Sequence, residues 1–258
     1  MNTFPYLEEK INNAKDIDFG DIITASIDLF KKIWLKGFLT ILLLMICGFV
    51  IGFVFGLIGL APENNLFVNG FDFDLESFLT FYSANALYSI PQTILVSTLT
   101  IAFVSAFYRI CKQFVLEGND QNDYFYFFKK EYFSKVFMLG LIYTGIATLA
   151  QLLFLIPYIY VFVPLSYFSI IFANNPDLSE SEIVKASFKL GNKKWLITFG
   201  TMFVTGILGM LGVIACGIGL LFTISIAYLP VFFIYKDVVG FDENNEIDQI
   251  GMGDDTNY

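Results

Sequence analysis

The clearest chemical pattern in this chain is three lysines, each followed two positions later by an aromatic side chain. The pairs are Lys32 with Trp34, Lys130 with Tyr132, and Lys193 with Trp195. In a membrane protein such an aromatic ring favours the level of the lipid headgroups, and the lysine extends its ammonium group towards lipid phosphate. Two interpretations stay open: the pairs anchor and orient spans, or they form three binding sites for anionic lipids.

The other reactive residues do not indicate an enzyme. Histidine is absent, which removes the usual general base and the usual protein ligand of iron, copper and zinc. The chain also lacks GxSxG, HExxH and phosphate-loop motifs, and a nucleophile without a base is not a catalytic site. We therefore expect no enzymatic activity, no cofactor, and no catalytic or metal-binding residues. A lipid-modifying membrane enzyme ranks last among the alternatives.

Composition predicts the fold class. The 258 residues are 56% hydrophobic, with a mean hydropathy of +0.67, and several apolar runs exceed the roughly 20 residues that cross a bilayer. We predict an all-α polytopic membrane bundle of six transmembrane helices in three hairpins, each hairpin preceded by an interfacial amphipathic helix. The predicted spans are 37–60, 86–108, a hairpin over 136–173 that turns near Ile156-Pro157, 195–216, and 218–235.

The polar segments are too short to bury a core of their own, so we predict a single membrane domain, 37–236. It follows an N-terminal segment, 1–36, that contains the first amphipathic helix. A tail, 237–258, holds seven acidic residues and no basic one, which is typical of a disordered segment. A second acidic stretch without basic residues, 61–85, is predicted to be a solvated loop between spans 1 and 2.

The basic residues predict the orientation of the spans. All 15 lysines and arginines fall on the same side of the six-span arrangement. Because Lys and Arg are retained on the cytoplasmic side, we expect both termini in the cytoplasm. The formal net charge of −9 gives no basic excess for a nucleic-acid partner.

Within the spans, small and helix-breaking residues suggest packing and kinks. Gly48, Gly52 and Gly56 form two overlapping GxxxG patterns, which favour close approach of another helix in the bundle or in a homodimer. Pro164 and Pro230 predict kinks in spans 4 and 6.

The span interiors contain no Asp, Glu, Lys or Arg, which argues against proton-coupled or ion-coupled transport. Uncharged polar side chains in the apolar runs favour helix-to-helix hydrogen bonds over a substrate site. They are Gln92, Thr144, Gln151, Ser166 and Thr205.

The first lysine segment aligns with the third. Residues 21–39 and 182–200 share Ile, Ala, Ser, Leu, Lys, Trp, Leu and Phe at corresponding positions, and a fainter copy lies at 128–132. The stretch NPDLSESEIVKASFKLGNKKW, the span that follows it and the later PVFFIYKD resemble bacterial six-span membrane proteins of unknown function. More distantly, they resemble the membrane domain of bacterial glycerophosphodiester phosphodiesterases. The resemblance implies a multi-pass protein of a bacterial inner membrane, and it carries no catalytic residue over.

Relatives of this kind are sometimes labelled beta-carotene monooxygenases. We do not expect that activity, because carotenoid-cleaving enzymes hold iron through several histidines and this chain has none. The expected function is a non-enzymatic membrane scaffold or lipid-interacting module. Its expected partners are membrane lipids, anionic ones included, a protein at the cytoplasmic face, and a second copy of the chain. The alternative is a transporter or permease-like subunit for a neutral or amphiphilic solute.

A reporter fused after Asn85 checks the orientation. Because all basic residues lie on the other side of the predicted spans, alkaline phosphatase is expected to be active there and green fluorescent protein to be dark. Fusions after Asp177, between spans 4 and 5, are the matched control and should give the reverse pattern. A fluorescent fusion after Asn85 would contradict the predicted orientation.

Overall fold

The computed structural model describes residues 3–60, 89–118, 122–153, 155–214 and 217–241. The α-helices there are α1 (Phe4–Asn12), α2 (Phe19–Leu57), α3 (Ile90–Glu117), α4 (Lys130–Leu152), α5 (Leu155–Ser166), α6 (Phe168–Asn174), α7 (Glu180–Lys193), α8 (Trp195–Met210), α9 (Gly219–Thr223) and α10 (Leu229–Val238). Segments of 3-10 helix cover Tyr126–Phe128, Leu211–Ile214 and Ile224–Tyr228. The predicted acidic loop, 61–85, and most of the acidic tail lie outside the described residues.

Six helical segments are long and apolar enough to cross a membrane, which confirms the predicted all-α, six-span architecture. Spans 1 to 3 are α2, α3 and α4. Span 4 consists of α5 and α6, span 5 of α8 with its 3-10 extension, and span 6 of α9, a 3-10 segment and α10. The hairpin between spans 3 and 4 turns between Leu152 and Leu155, next to the predicted position.

The amphipathic segments join their spans in different ways. The first is the N-terminal part of α2, whose 39 residues extend about 58 Å at 1.5 Å per residue, far beyond a hydrocarbon core of about 30 Å. The third is a separate helix, α7. Between spans 2 and 3, at the position predicted for the second amphipathic helix, the chain forms a 3-10 turn, Tyr126–Phe128, followed directly by α4. Phe127 is buried in this turn, with its ring centroid 4.8 Å from that of Phe172, whereas Phe125 is exposed.

The aligned first and third segments bury the same face. The corresponding buried pairs are Ile22 with Ile183, Ser26 with Ser187, and Leu29 with Leu190. Both segments also begin at a side-chain cap: Asp18 accepts from the Asp21 N–H at 3.0 Å, and Ser179 forms a capping box with Glu182. Hydrogen bonds from Ser179 lower the pKa of the Glu182 carboxyl. An internal repeat as the origin of this likeness stays a prediction.

Helix α3 lies at the centre of the bundle. It contacts α2, α4 and α6, and 67% of its apolar segment is buried, against 6% for α2. Phe103, Phe107 and Tyr108 on α3 are almost fully buried. The outer half of α2, by contrast, exposes large apolar side chains such as Phe49 and Leu57, which suits contact with lipid.

Two pairs of helices approach each other closely at glycines. On α7, a Cβ atom added to Gly191 would lie 2.6 Å from the Pro164 Cα of α5. On α4, a Cβ atom added to Gly140 would lie 2.9 Å from the Thr98 Cα of α3. In a membrane, such small residues let two backbones approach and gain van der Waals contact.

The predicted GxxxG face is not among these contacts. No described atom lies within 4 Å of a Cβ built on Gly48 or Gly56, and the atom nearest Gly52 is the Gln92 amide nitrogen at 3.7 Å. Within the described residues these glycines therefore do not bring two helices together. The periodic spacing permits close approach, but it does not identify a partner helix.

Replacing Gly191 with Ala is expected to lower the free energy of unfolding by about 1–3 kcal/mol, because the added methyl group meets the Pro164 backbone. The matched control is Gly206→Ala on α8, where no atom lies within 4 Å of the new Cβ. That control is expected to be neutral or slightly stabilising, since Ala favours helix over Gly. Thermal unfolding in detergent measures both variants, and equal midpoints would contradict the expectation.

Candidate intramembrane binding site

Span 4 is interrupted at Tyr167, between α5 and α6. Pro164 lies inside α5, in agreement with the predicted kink. Because proline has no N–H group, it cannot donate the usual i-to-i−4 hydrogen bond to the carbonyl of Tyr160. Leaving such an acceptor without a donor is costly in hydrocarbon, where water cannot replace the lost bond.

The indole of Trp195 supplies the missing donor. Its N–H donates to the Tyr160 carbonyl over 3.0 Å, and the Trp195 and Tyr160 rings stack with centroids 6.5 Å apart. The Tyr160 hydroxyl also donates to the Asn192 side chain at 2.9 Å. These contacts therefore link the junction between α7 and α8 to the turn of span 4 that contains Pro164.

Span 6 is irregular as well. A 3-10 segment, Ile224–Tyr228, separates α9 from α10, and Pro230 lies in the first turn of α10. At the kink predicted for Pro230, the chain changes from 3-10 helix to α-helix just before the proline. A proline in a first turn needs no N–H partner, so it tolerates this position well.

Two hydroxyl groups of α3 donate hydrogen bonds to the backbone of the irregular spans 4 and 6. Ser105 donates to the Ser169 carbonyl of α6 at 2.9 Å, and Tyr108 donates to the Tyr228 carbonyl of span 6 at 3.0 Å. Both donors are buried on the central helix. The sequence analysis missed these residues, and their only signal is a hydroxyl group in the middle of an apolar run.

A cavity of about 410 Å³ lies between α3 and the irregular parts of spans 4 and 6. Its other walls come from α4 and α8. This volume falls within the range of about 300–1,000 Å³ that is usual for small-molecule sites. Hydroxyl-bearing and apolar side chains line it, and no Asp, Glu, Lys or Arg is among the described lining residues. The cavity can hold an uncharged or amphiphilic molecule and does not suit an ion.

The uncharged polar residues singled out in the sequence have different roles. Thr144 donates to Ser97 at 3.1 Å, a bond between spans 3 and 2, as predicted for such groups. Thr205 donates to the Thr201 carbonyl of its own helix. Ser166 also bonds within its helix, but it lines the cavity. Gln92 lies beside α2, and no contact assigns a role to Gln151.

The three lysine–aromatic pairs do not form three equivalent sites. Lys32 and Lys130 are exposed, whereas the Lys193 ammonium donates to the Asn12 carbonyl of α1. The aromatic partners contact protein. Trp34 lies beside Phe222 with ring centroids 6.1 Å apart, and Tyr132 packs in the cluster of Phe127 and Phe172. These contacts favour anchoring of helices, and whether the pairs bind lipid stays a prediction.

Segments that carry basic residues meet at one end of the bundle. Lys189 pairs with Glu8 between α7 and α1. Lys135 of α4 donates to the Leu178 carbonyl at 2.9 Å, and the Arg109 guanidinium lies 3.7 Å from the Tyr126 ring centre. We call this region the basic end. It also contains a groove of about 540 Å³ between residues 10–21 and the end of α10, lined by side chains of both charges.

Comparisons with known proteins identify no relative: no protein family matches the chain, and neither a curated protein nor a solved structure matches it. The resemblance to bacterial six-span proteins and to a phosphodiesterase membrane domain therefore stays a prediction.

Replacing Trp195 with Phe is expected to lower the free energy of unfolding by about 1–3 kcal/mol, because the Tyr160 carbonyl loses its donor. Trp34→Phe is the matched control, since no described residue accepts a hydrogen bond from the Trp34 indole. A Pro164→Ala change in the Trp195→Phe background should recover part of the loss, because alanine, unlike proline, has a backbone N–H group. Thermal unfolding in detergent measures all four proteins. Equal losses for the two tryptophan variants would contradict the proposed role of the indole.

Proposed function

We propose that this protein is a non-enzymatic lipid-interacting module that binds an amphiphilic molecule between its transmembrane helices. The observation that carries the proposal is the uncharged cavity of about 410 Å³ beside the interruptions of spans 4 and 6. Bilayer lipids are the most abundant amphiphiles around such a site. The wall residues Val96 and Met202, which are half-buried, and Phe162, which is exposed, offer apolar surface to a hydrocarbon chain.

The proposal includes a location. We place the protein in a bacterial inner membrane with both termini in the cytoplasm. Support comes from the one-sided distribution of Lys and Arg in the sequence and from the contacts that bring basic segments together at the basic end. The groove at that end, with Lys10, Lys15 and Asp237 among its residues, offers a surface for a cytoplasmic protein partner.

A transporter or permease-like subunit for a neutral or amphiphilic solute is the second candidate. It is favoured because helices interrupted beside a binding site are characteristic of secondary transporters. In this protein the interruptions at Tyr167 and at 224–228 both adjoin the cavity. Substrate-dependent flux of a neutral amphiphile into liposomes would favour the transporter, and binding without flux would favour the module.

Filling the cavity tests the binding function. Ala227→Phe places a large ring in the 3-10 wall, and it is expected to reduce retention of hexadecanol by tenfold or more, because the ring occupies the space of the chain. Native mass spectrometry of protein released from lipid nanodiscs measures the retention.

Ile207→Phe adds similar bulk on the exposed surface of α8 and is the matched control. Val96→Phe fills the same cavity from α3, so it replaces Ala227→Phe if that variant does not fold. Unchanged hexadecanol retention in both folded cavity variants would contradict the proposed site.

A further inference from the structure

Four hydroxyl groups that line the cavity have no hydrogen-bond partner within the described part of the chain. One is on Ser169, which is buried, and the others belong to Thr100 of α3, Tyr143 of α4 and Tyr228 of span 6. The last three side chains are half-buried. They therefore line the cavity as donors that the surrounding protein does not satisfy.

Some other hydroxyl groups in the same spans are satisfied locally, whereas that of Ser225 in span 6 is buried without a partner in the described residues. Thr93 and Thr98, on the same helix as Thr100, donate to the carbonyls four residues earlier at 2.8 and 2.7 Å. Back-bonding of this kind is the usual solution for Thr in a membrane helix. Among the cavity tyrosines, Tyr108 donates to a backbone carbonyl. Thr100, Tyr143 and Tyr228 lack such a bond, and all three line the cavity.

The two tyrosines belong to different spans, Tyr143 to span 3 and Tyr228 to span 6, and both line the same cavity. Two donors from separate helices that converge on one cavity can hold the same polar group of a ligand. At membrane depth each bond they make is favourable, because the alternative is a polar group without a partner in hydrocarbon.

We propose that Thr100, Tyr143 and Tyr228 recognise the uncharged polar headgroup of the amphiphile, with hydroxyl or carbonyl oxygens that can accept hydrogen bonds. This inference rests on the proposed binding function and deepens it by naming the ligand class. A charged headgroup fits poorly, because no described lining residue carries the opposite charge. The hydrocarbon part of the ligand lies against the apolar walls.

Three probes with the same hydrocarbon chain test the headgroup: hexadecanol, hexadecane and hexadecanoate. The protein in nanodiscs is loaded with each probe, and native mass spectrometry measures retention. The wild type is expected to retain hexadecanol best. A Thr100→Val, Tyr143→Phe, Tyr228→Phe triple variant keeps the shapes but removes the hydroxyls. It is expected to retain hexadecanol roughly tenfold less, which corresponds to the loss of one or two net hydrogen bonds, and hexadecane equally.

The matched control is Tyr6→Phe, which removes an exposed tyrosine hydroxyl from α1, outside the cavity lining. The single variants Tyr143→Phe and Tyr228→Phe replace the triple variant if it does not fold. Undiminished preference for hexadecanol in the hydroxyl-free protein, or best retention of hexadecanoate by the wild type, overturns the inference. If cavity filling by Ala227→Phe still abolishes retention in that case, the proposed function stands while the headgroup assignment fails. If cavity filling has no effect, the proposed function itself fails.

Discussion

The bundle depends on hydrogen bonding of backbone groups at membrane depth, where water cannot replace a missing partner. Span 4 contains an internal proline and span 6 contains a 3-10 segment, so neither forms a single regular α-helix. Side chains from other helices donate hydrogen bonds to both spans. In span 4, the Trp195 indole donates to the Tyr160 carbonyl and Ser105 of α3 donates to a second carbonyl. In span 6, Tyr108 of α3 donates to a backbone carbonyl. The irregular spans are therefore stable only in the assembled bundle.

This constraint explains why the central helix is rich in buried polar groups although it is a membrane span. Ser105 and Tyr108 lie within one turn of α3, and each reaches a different irregular span. Close contacts of the backbone at Gly140 and Gly191 bring the neighbouring helices near enough for such bonds. Packing and hydrogen bonding thus support each other, since a small shift at either glycine would lengthen the bonds that satisfy the interruptions.

The same interruptions provide the space for a ligand. Regular helices can pack along their full length, whereas the break at Tyr167 and the 3-10 segment before Pro230 leave the cavity beside α3. The cavity contains hydroxyl groups but no charge among the described lining residues, which suits an uncharged amphiphile. The basic end is chemically different, because its lysines bond α1 and the loop before α7. Ligand binding and protein partnership would then use separate regions of one molecule.

The sequence by itself determined the number and class of the spans, because the free energy of moving a segment from water into lipid depends mainly on its own composition. The irregularity predicted at Pro164 is a local effect of residue type, and so are the caps that the structure shows at Asp18 and Ser179. Only the tertiary structure decided which glycines pack: among the described residues, Gly191 and Gly140 contact another helix, and Gly48 and Gly56 do not. It alone showed that the Trp195 indole bonds a carbonyl and that Thr100, Tyr143 and Tyr228 share one cavity. These facts depend on residues far apart in the chain, and no spacing pattern within one segment encodes which of them meet.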